Sequence, residues 1–161
     1  MQIENPRVRE AKLNDALLLH KNLRKDDIRE IRASDNVSPL EALVMPFTYE
    51  GSQTYSIIHD VEDDIIGMFG VCPAINDDTF GVAWMLATDN IQVIGKTFLK
   101  ESRYWVNEMG KPYDFLYNFI DKRNWKSLKW LQFCGFEPKQ ELNYGYEQRK
   151  FLLVMKDMKD V

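Results

Sequence analysis

The chain is predicted to fold as one mixed α/β domain, on three observations. Its 161 residues match one typical domain and are enough to close a hydrophobic core without staples. The spacing of apolar residues switches between two-residue and helical periods, giving the order β-α-α-β-β-β-α-β-α-β-β. No linker, repeat or low-complexity stretch interrupts that order. Strands and helices mixed in this way imply one central sheet with helices on both faces. The domain is expected to span 1–161, with a polar tail, 156–161, that frays.

The elements follow in order. Alternation over Pro6–Glu10 predicts a short strand. Asn14 or Asp15 can cap a helix through Ala16, Leu19 and Leu23. A second helix starts at Asp26 or Asp27 with Ile28 and Ile31 facing inward, and Ser38-Pro39 opens a helical turn that Pro46 stops. Strands at 54–59 and 65–71 flank an acidic turn, and Asn76-Asp77-Asp78 leads to a third at 80–87. Phe98, Ser102, Trp105, Val106 and Met109 fall at helical spacing, and Gly110-Lys111-Pro112 ends that helix. A strand at 115–120, a helix at 124–134 closed by Gly135, and strands at 136–142 and 149–155 complete the chain. Trp105 and Leu131 are expected in the core.

Composition excludes several functions. The formal net charge is −4 and the pI near 5.3, and nothing in that balance suggests the electrostatic grip that nucleic acid needs. The charges between Lys21 and Arg32 mix both signs and predict a solvated helix face. Cys72 and Cys134 have neither a CxxC partner nor a neighbouring His, so buried free thiols in a reducing compartment are expected. Two His and two widely spaced Cys do not assemble a zinc site, and no metal is expected. The N-terminus lacks the apolar core of a signal peptide, and no run is long enough to span a membrane. A protein of the cytosol, or of a particle assembled there, follows.

The stretch from Asn124 to Phe136, NWKSLKWLQFCGF, resembles the N-x-x-A-x-x-L-Y-x-x-x-G-F helix of the GNAT (acyl-CoA N-acyltransferase) superfamily, with Asn124, Ser127, Gly135 and Phe136 at matching spacings. That resemblance implies a mostly antiparallel sheet splayed between strands four and five. A narrower resemblance covers roughly Ala83 to Met155, through FLKESRYWV at 98–106, LYNFID at 116–121, Lys129-Trp130-Leu131, Gly135-Phe136, Tyr144-Gly145 and Arg149-Lys150-Phe151. It is to phage-encoded GNAT-like proteins known as internal virion protein A of short-tailed phages. It implies other virion proteins as partners, in the host cytoplasm or the phage particle.

The GNAT resemblance implies acetyl-CoA at a degenerate site. Its pyrophosphate would sit on backbone N–H groups of a Gly-rich R/Q-x-x-G-x-G/A loop at a helix start. Here Gln92, Gly95, Lys96 and Thr97 stand in that region, in one of two registers, with a single Gly. The expected thiolate-protonating Tyr is Leu131, which has no proton to donate. Tyr117, Tyr144 and Tyr146 are substitutes, and His59 and Asp60 candidates for the base, so the catalytic residues stay unassigned. Asn118 lies in an apolar strand where the splay would open, and is expected to pair with backbone across it. Asn124 starts the next helix. Gln92, Gly95, Lys96, Thr97, Asn118 and Asn124 are thus the candidate cofactor-binding residues. Three functions follow: a phage GNAT-fold protein without robust acetyltransferase activity serving virion assembly, an acetyl-CoA-dependent N-acetyltransferase, and a non-catalytic module binding acyl-CoA or a host protein.

Overall fold

The computed structural model describes residues 7–59, 61–92 and 95–160. Seven strands form one sheet in the order β1-β2-β3-β4-β5-β7-β6. They are β1 (Arg7–Glu10), β2 (Gln53–Ile58), β3 (Ile65–Pro73), β4 (Phe80–Ala87), β5 (Phe115–Asp121), β6 (Glu137–Tyr144) and β7 (Arg149–Asp157). Every neighbouring pair is antiparallel except β4–β5. That parallel pair needs a crossover, which α4 (Gly95–Gly110) supplies. The fold is mixed α/β and mostly antiparallel, as expected.

Alternation along the strands feeds two cores. Ala83, Met85 and Ala87 of β4 pack with Phe98, Val106 and Met109 of α4 and with Trp130 and Leu131 of α5 (Trp125–Phe133). Trp84 and Leu86 face α1 (Leu13–Leu19), α2 (Lys25–Asp35) and α3 (Pro39–Val44), which contribute Leu19, Ile31 and Leu43. Leu131 is buried, as expected. Trp105 is only half-buried, packing obliquely on Tyr55 at 4.9 Å between ring centroids.

The α3 helix ends at Val44, just ahead of Pro46 as expected, and a 3-10 turn follows over Met45–Thr48. One further expectation changes. The tail does not fray from residue 156. β7 runs to Asp157, a 3-10 turn follows over Met158–Asp160, and Met158 packs against the core. Sheet closeness at Gly70 gives a direct test. A Cβ there would lie 2.1 Å from the Gln53 carbonyl oxygen, so Gly70→Ala must push β2 from β3. A loss of about 1–3 kcal/mol or more is expected by urea denaturation; an unchanged midpoint would contradict the register.

Candidate functional site

The parallel pairing of β4 and β5 covers only Phe80↔Phe115, Gly81↔Leu116 and Val82↔Tyr117. Asn118 ends it. Its Nδ2 donates to the Ala83 carbonyl at 2.7 Å, while the Phe119 N–H donates to its Oδ1 at 2.7 Å. One side-chain amide therefore stands in the ladder where a direct strand-to-strand bond would be, and the strands part beyond it. The sequence placed Asn118 against backbone across the split, and that hydrogen bond is present. Asn118→Leu should leave one carbonyl and one N–H short of partners, at about 1–3 kcal/mol each, read by chemical denaturation; a neutral result would show that the stitch is dispensable.

Bonds from Ala74 N–H to Phe80 O and from Thr88 N–H to Ile66 O place the even-numbered β4 residues in hydrogen-bonded pairs with β3. The odd-numbered residues Ala83, Met85 and Ala87 then direct their N–H and C=O groups at the split. At Ala87 both are taken. Arg24 N–H donates to the Ala87 carbonyl at 2.8 Å, and Ala87 N–H donates to Asp27 Oδ2 at 3.0 Å. On the opposite rim Asp121 N–H donates to Glu30 Oε1 at 2.7 Å. Met85 sits between, with no strand opposite it.

Arg24 at the N-cap of α2, with Asp27 and Glu30 inside the helix, fall at successive i, i+3 positions on one side of it. Arg24 binds Asp27 through two 3.0 Å bonds and reaches Ser127 Oγ at 3.3 Å. Asn124 Nδ2 donates to Asp27 Oδ1 at 3.1 Å, and its Oδ1 caps α5 by accepting from Ser127 N–H. Asp27 is 0% exposed and Arg24 4%. The expectation of a solvated face is therefore corrected for these residues. Buried charges persist when they are paired and fully hydrogen-bonded, as they are here. Glu30 is held differently. Burial raises its carboxyl to about 8, and the nearby Asp27 and Asp121 charges push the same way.

The split opens into a cleft of about 750 Å³. Val82 and Trp84 of β4, Tyr117 and Phe119 of β5, and Tyr144 of β6 form its walls, and Glu30 lies at the α2 side. Phe119 and Tyr144 stack at 4.2 Å. Asp35 and Asp77 add acid, and no Lys, Arg or His lines the cleft among the described residues. Trp130 reaches the same space from α5; its indole Nε1–H is buried without a hydrogen-bond partner. Acidic groups among aromatic faces favour a cation.

The structure brings only some of the candidate residues together. Asn118 lies in the cleft, with Tyr117, Tyr144 and Leu131. Asn124 is 1% exposed and its side chain is engaged with Asp27 and Ser127. Gln92 is exposed at the end of the 3-10 turn Asp89–Gln92. Gly95, Lys96 and Thr97 form the first turn of α4, while Val93 and Ile94 of the same loop lie outside the described residues. Tyr146 is exposed in the β6–β7 turn and does not line the cleft. His59 pairs with Asp64 at 3.2 Å, away from the cleft, and Asp60 lies outside the described residues. Sequence reasoning missed Arg24, Asp27 and Glu30. The signal was present: Arg24 and Asp27 precede Ile31 by seven and four residues and so share its inward stripe. Among the described residues no cluster could hold a metal ion and no helix is long and apolar enough to cross a membrane.

No protein-family model matches the sequence, and no curated protein matches it. Solved structures do match in three dimensions. AAC(6')-Ib in complex with ribostamycin and coenzyme A aligns at a TM-score of 0.67 and 12% identity, over 97% of this chain and 95% of that one. Spermidine N-acetyltransferase from Vibrio cholerae, in complex with CoA and spermine, aligns at 0.69 and 12% identity, over 96% of each chain. A GNAT-family acetyltransferase from Bacillus anthracis aligns at 0.69 and 9% identity, over 99% and 98%. At such identities the likeness is one of fold: the chain is similar in architecture to GNAT acetyltransferases over nearly its whole length.

Proposed function

We propose that the domain is an N-acyltransferase that holds a cationic amine in the acidic aromatic cleft and receives an acyl group at the split beside Met85. The carrying observation is that the cleft, free of basic side chains among the described residues, opens onto the unpaired stretch of β4 with Glu30 beside it. The structural neighbours, which include a spermidine N-acetyltransferase in complex with CoA and spermine, support this function over a role in particle assembly, to which they lend nothing.

The donor that the fold implies is acetyl-CoA, which supplies an acyl group activated as a thioester. Two features of the chain fit it. Met85 has N–H and C=O groups directed at the gap without a strand opposite, and the Trp130 indole N–H is a buried donor awaiting an acceptor. Gln92 and the first turn of α4 at Gly95, Lys96 and Thr97 would hold its phosphates. At Ala87 the chain's own groups occupy the route.

The chain's contribution is binding and proton removal. An alkylammonium, with a pKa near 10.4, carries almost no nucleophilic lone pair at neutral pH. Asp35, Asp77 and the aromatic walls hold the charged form. Glu30, raised to about 8, is a base matched to removing one of its protons near neutrality. Leu131 supplies no acid, and Tyr117 and Tyr144 are two of the hydroxyl-bearing residues that line the cleft.

Thiol release from acetyl-CoA, measured against a panel of cationic and neutral amines, tests this. Cationic amines should support turnover, and Glu30→Gln should lower kcat/KM by about 10²–10⁴-fold. Absence of amine-dependent release would sink the proposal, and full activity in Glu30→Gln would remove Glu30 from it.

A further inference from the structure

We infer that the first turn of α2 is a displaceable latch lying across the donor side of the split, so that a donor arm enters by taking over Ala87 from Arg24 and Asp27. This rests on the acyltransferase function proposed above. The gap left by two diverging strands is a slot for an extended ligand carrying amides, because each rim offers backbone N–H and C=O groups at strand spacing. The structure fills that slot with its own groups, three side chains and one backbone N–H. Asp27 Oδ2 and Arg24 N–H satisfy the two groups of Ala87, Glu30 satisfies Asp121 N–H, and Asn118 closes the inner end. An amide-bearing arm running from the α4 N-terminus towards Met85 passes Ala87 first and meets a residue whose donor and acceptor are already used.

Two details make the turn removable as a unit. Arg24, the N-cap residue, and Asp27 of the first turn are bonded to each other, so their charges stay paired when the turn withdraws. The turn loses its bonds to Ala87, Asn124 and Ser127. An arriving amide can restore the pair at Ala87, while the others can take water. The turn also follows a joint: Leu23 and Arg24 are extended, with φ/ψ of −64/148 and −56/144, between the 3-10 turn His20–Asn22 and the body of α2.

The probe is CoA, which carries the amide-bearing arm without the acyl group. Calorimetric titration compares the wild type with the double variant Arg24→Met, Asp27→Leu, which removes the side-chain grip on Ala87 without leaving one charge alone. Freed of a competitor for the Ala87 N–H, the variant should bind CoA about tenfold more tightly. Hydrogen exchange on the wild type supplies a second readout, in which saturating CoA should speed exchange across 21–31. CoA binding with 21–31 unchanged and equal affinity in the variant would overturn the latch and leave the acyltransferase function standing. No binding to either protein would overturn both. If the variant does not fold, exchange in the wild type decides alone, and no CoA effect on 21–31 counts against the latch.

Discussion

Asp27→Ala is expected to lower stability by about 3–5 kcal/mol, because it strands a buried charge. Asp27 is 0% exposed and accepts from the Arg24 guanidinium, the Ala87 N–H and the Asn124 amide. Without it Arg24, itself 4% exposed, holds a positive charge with no carboxylate, and Ala87 N–H loses its acceptor. The control is Asp26→Ala, one residue away, whose 3.0 Å pair with Arg29 is solvent-accessible and should contribute under about 1 kcal/mol. Equilibrium urea denaturation reads both. Similar small losses in the two variants would show that the cluster under the split does not hold α2 in place. The apolar double variant at Arg24 and Asp27 should lose far less than Asp27→Ala, since removing both charges together leaves neither uncompensated.

The second large effect is a pH dependence set by Glu30. Its folded carboxyl lies at about 8, raised by burial and then by Asp27 and Asp121, against an ordinary value of 4.5. A raised acid favours the folded state in its protonated form. Its contribution is complete below about 4.5 and is lost as pH rises through 8, at up to about 1.4 kcal/mol per pH unit. Glu30→Gln keeps an oxygen to accept from Asp121 N–H but has no charge to bury, so this slope should vanish. Denaturation at pH 5, 7 and 9 should show the variant gaining on the wild type at each step and exceeding it at pH 9. Parallel curves would mean that Glu30 ionises as an ordinary glutamate and is not the base proposed for the cleft.

Most of the architecture was legible because it follows from periodicity. The switch from alternation in β4 to helical spacing in α4 placed the one parallel crossover, and Gly110 and Gly135 placed two helix ends. The tail was misjudged because its polar composition hides Met158, which packs on the core beside the end of β7. The candidate site was only half visible. Asn118 stood out as an amide in an apolar strand, and its bond across the split followed from the cost of an unpaired buried amide. Arg24, Asp27 and Glu30 did not stand out, since a helix with both signs of charge reads as solvated. Their burial depends on the gap between β4 and β5, which is a property of the assembled sheet and not of the α2 segment. That no Lys, Arg or His among the described residues lines the cleft is likewise a property of several elements meeting, which a net charge of −4 for the whole chain does not reveal.

The most direct test of a single acyl-transfer site is an amide-resolved NMR titration, first with CoA and then with a cationic amine. The account predicts that CoA perturbs the amides of Met85, Ala87, Asp121 and the first turn of α4. It predicts that the amine then perturbs Phe119, Tyr144 and the indole N–H signals of Trp84 and Trp130. CoA perturbations confined to other surfaces, or amine perturbations outside the cleft, would contradict it.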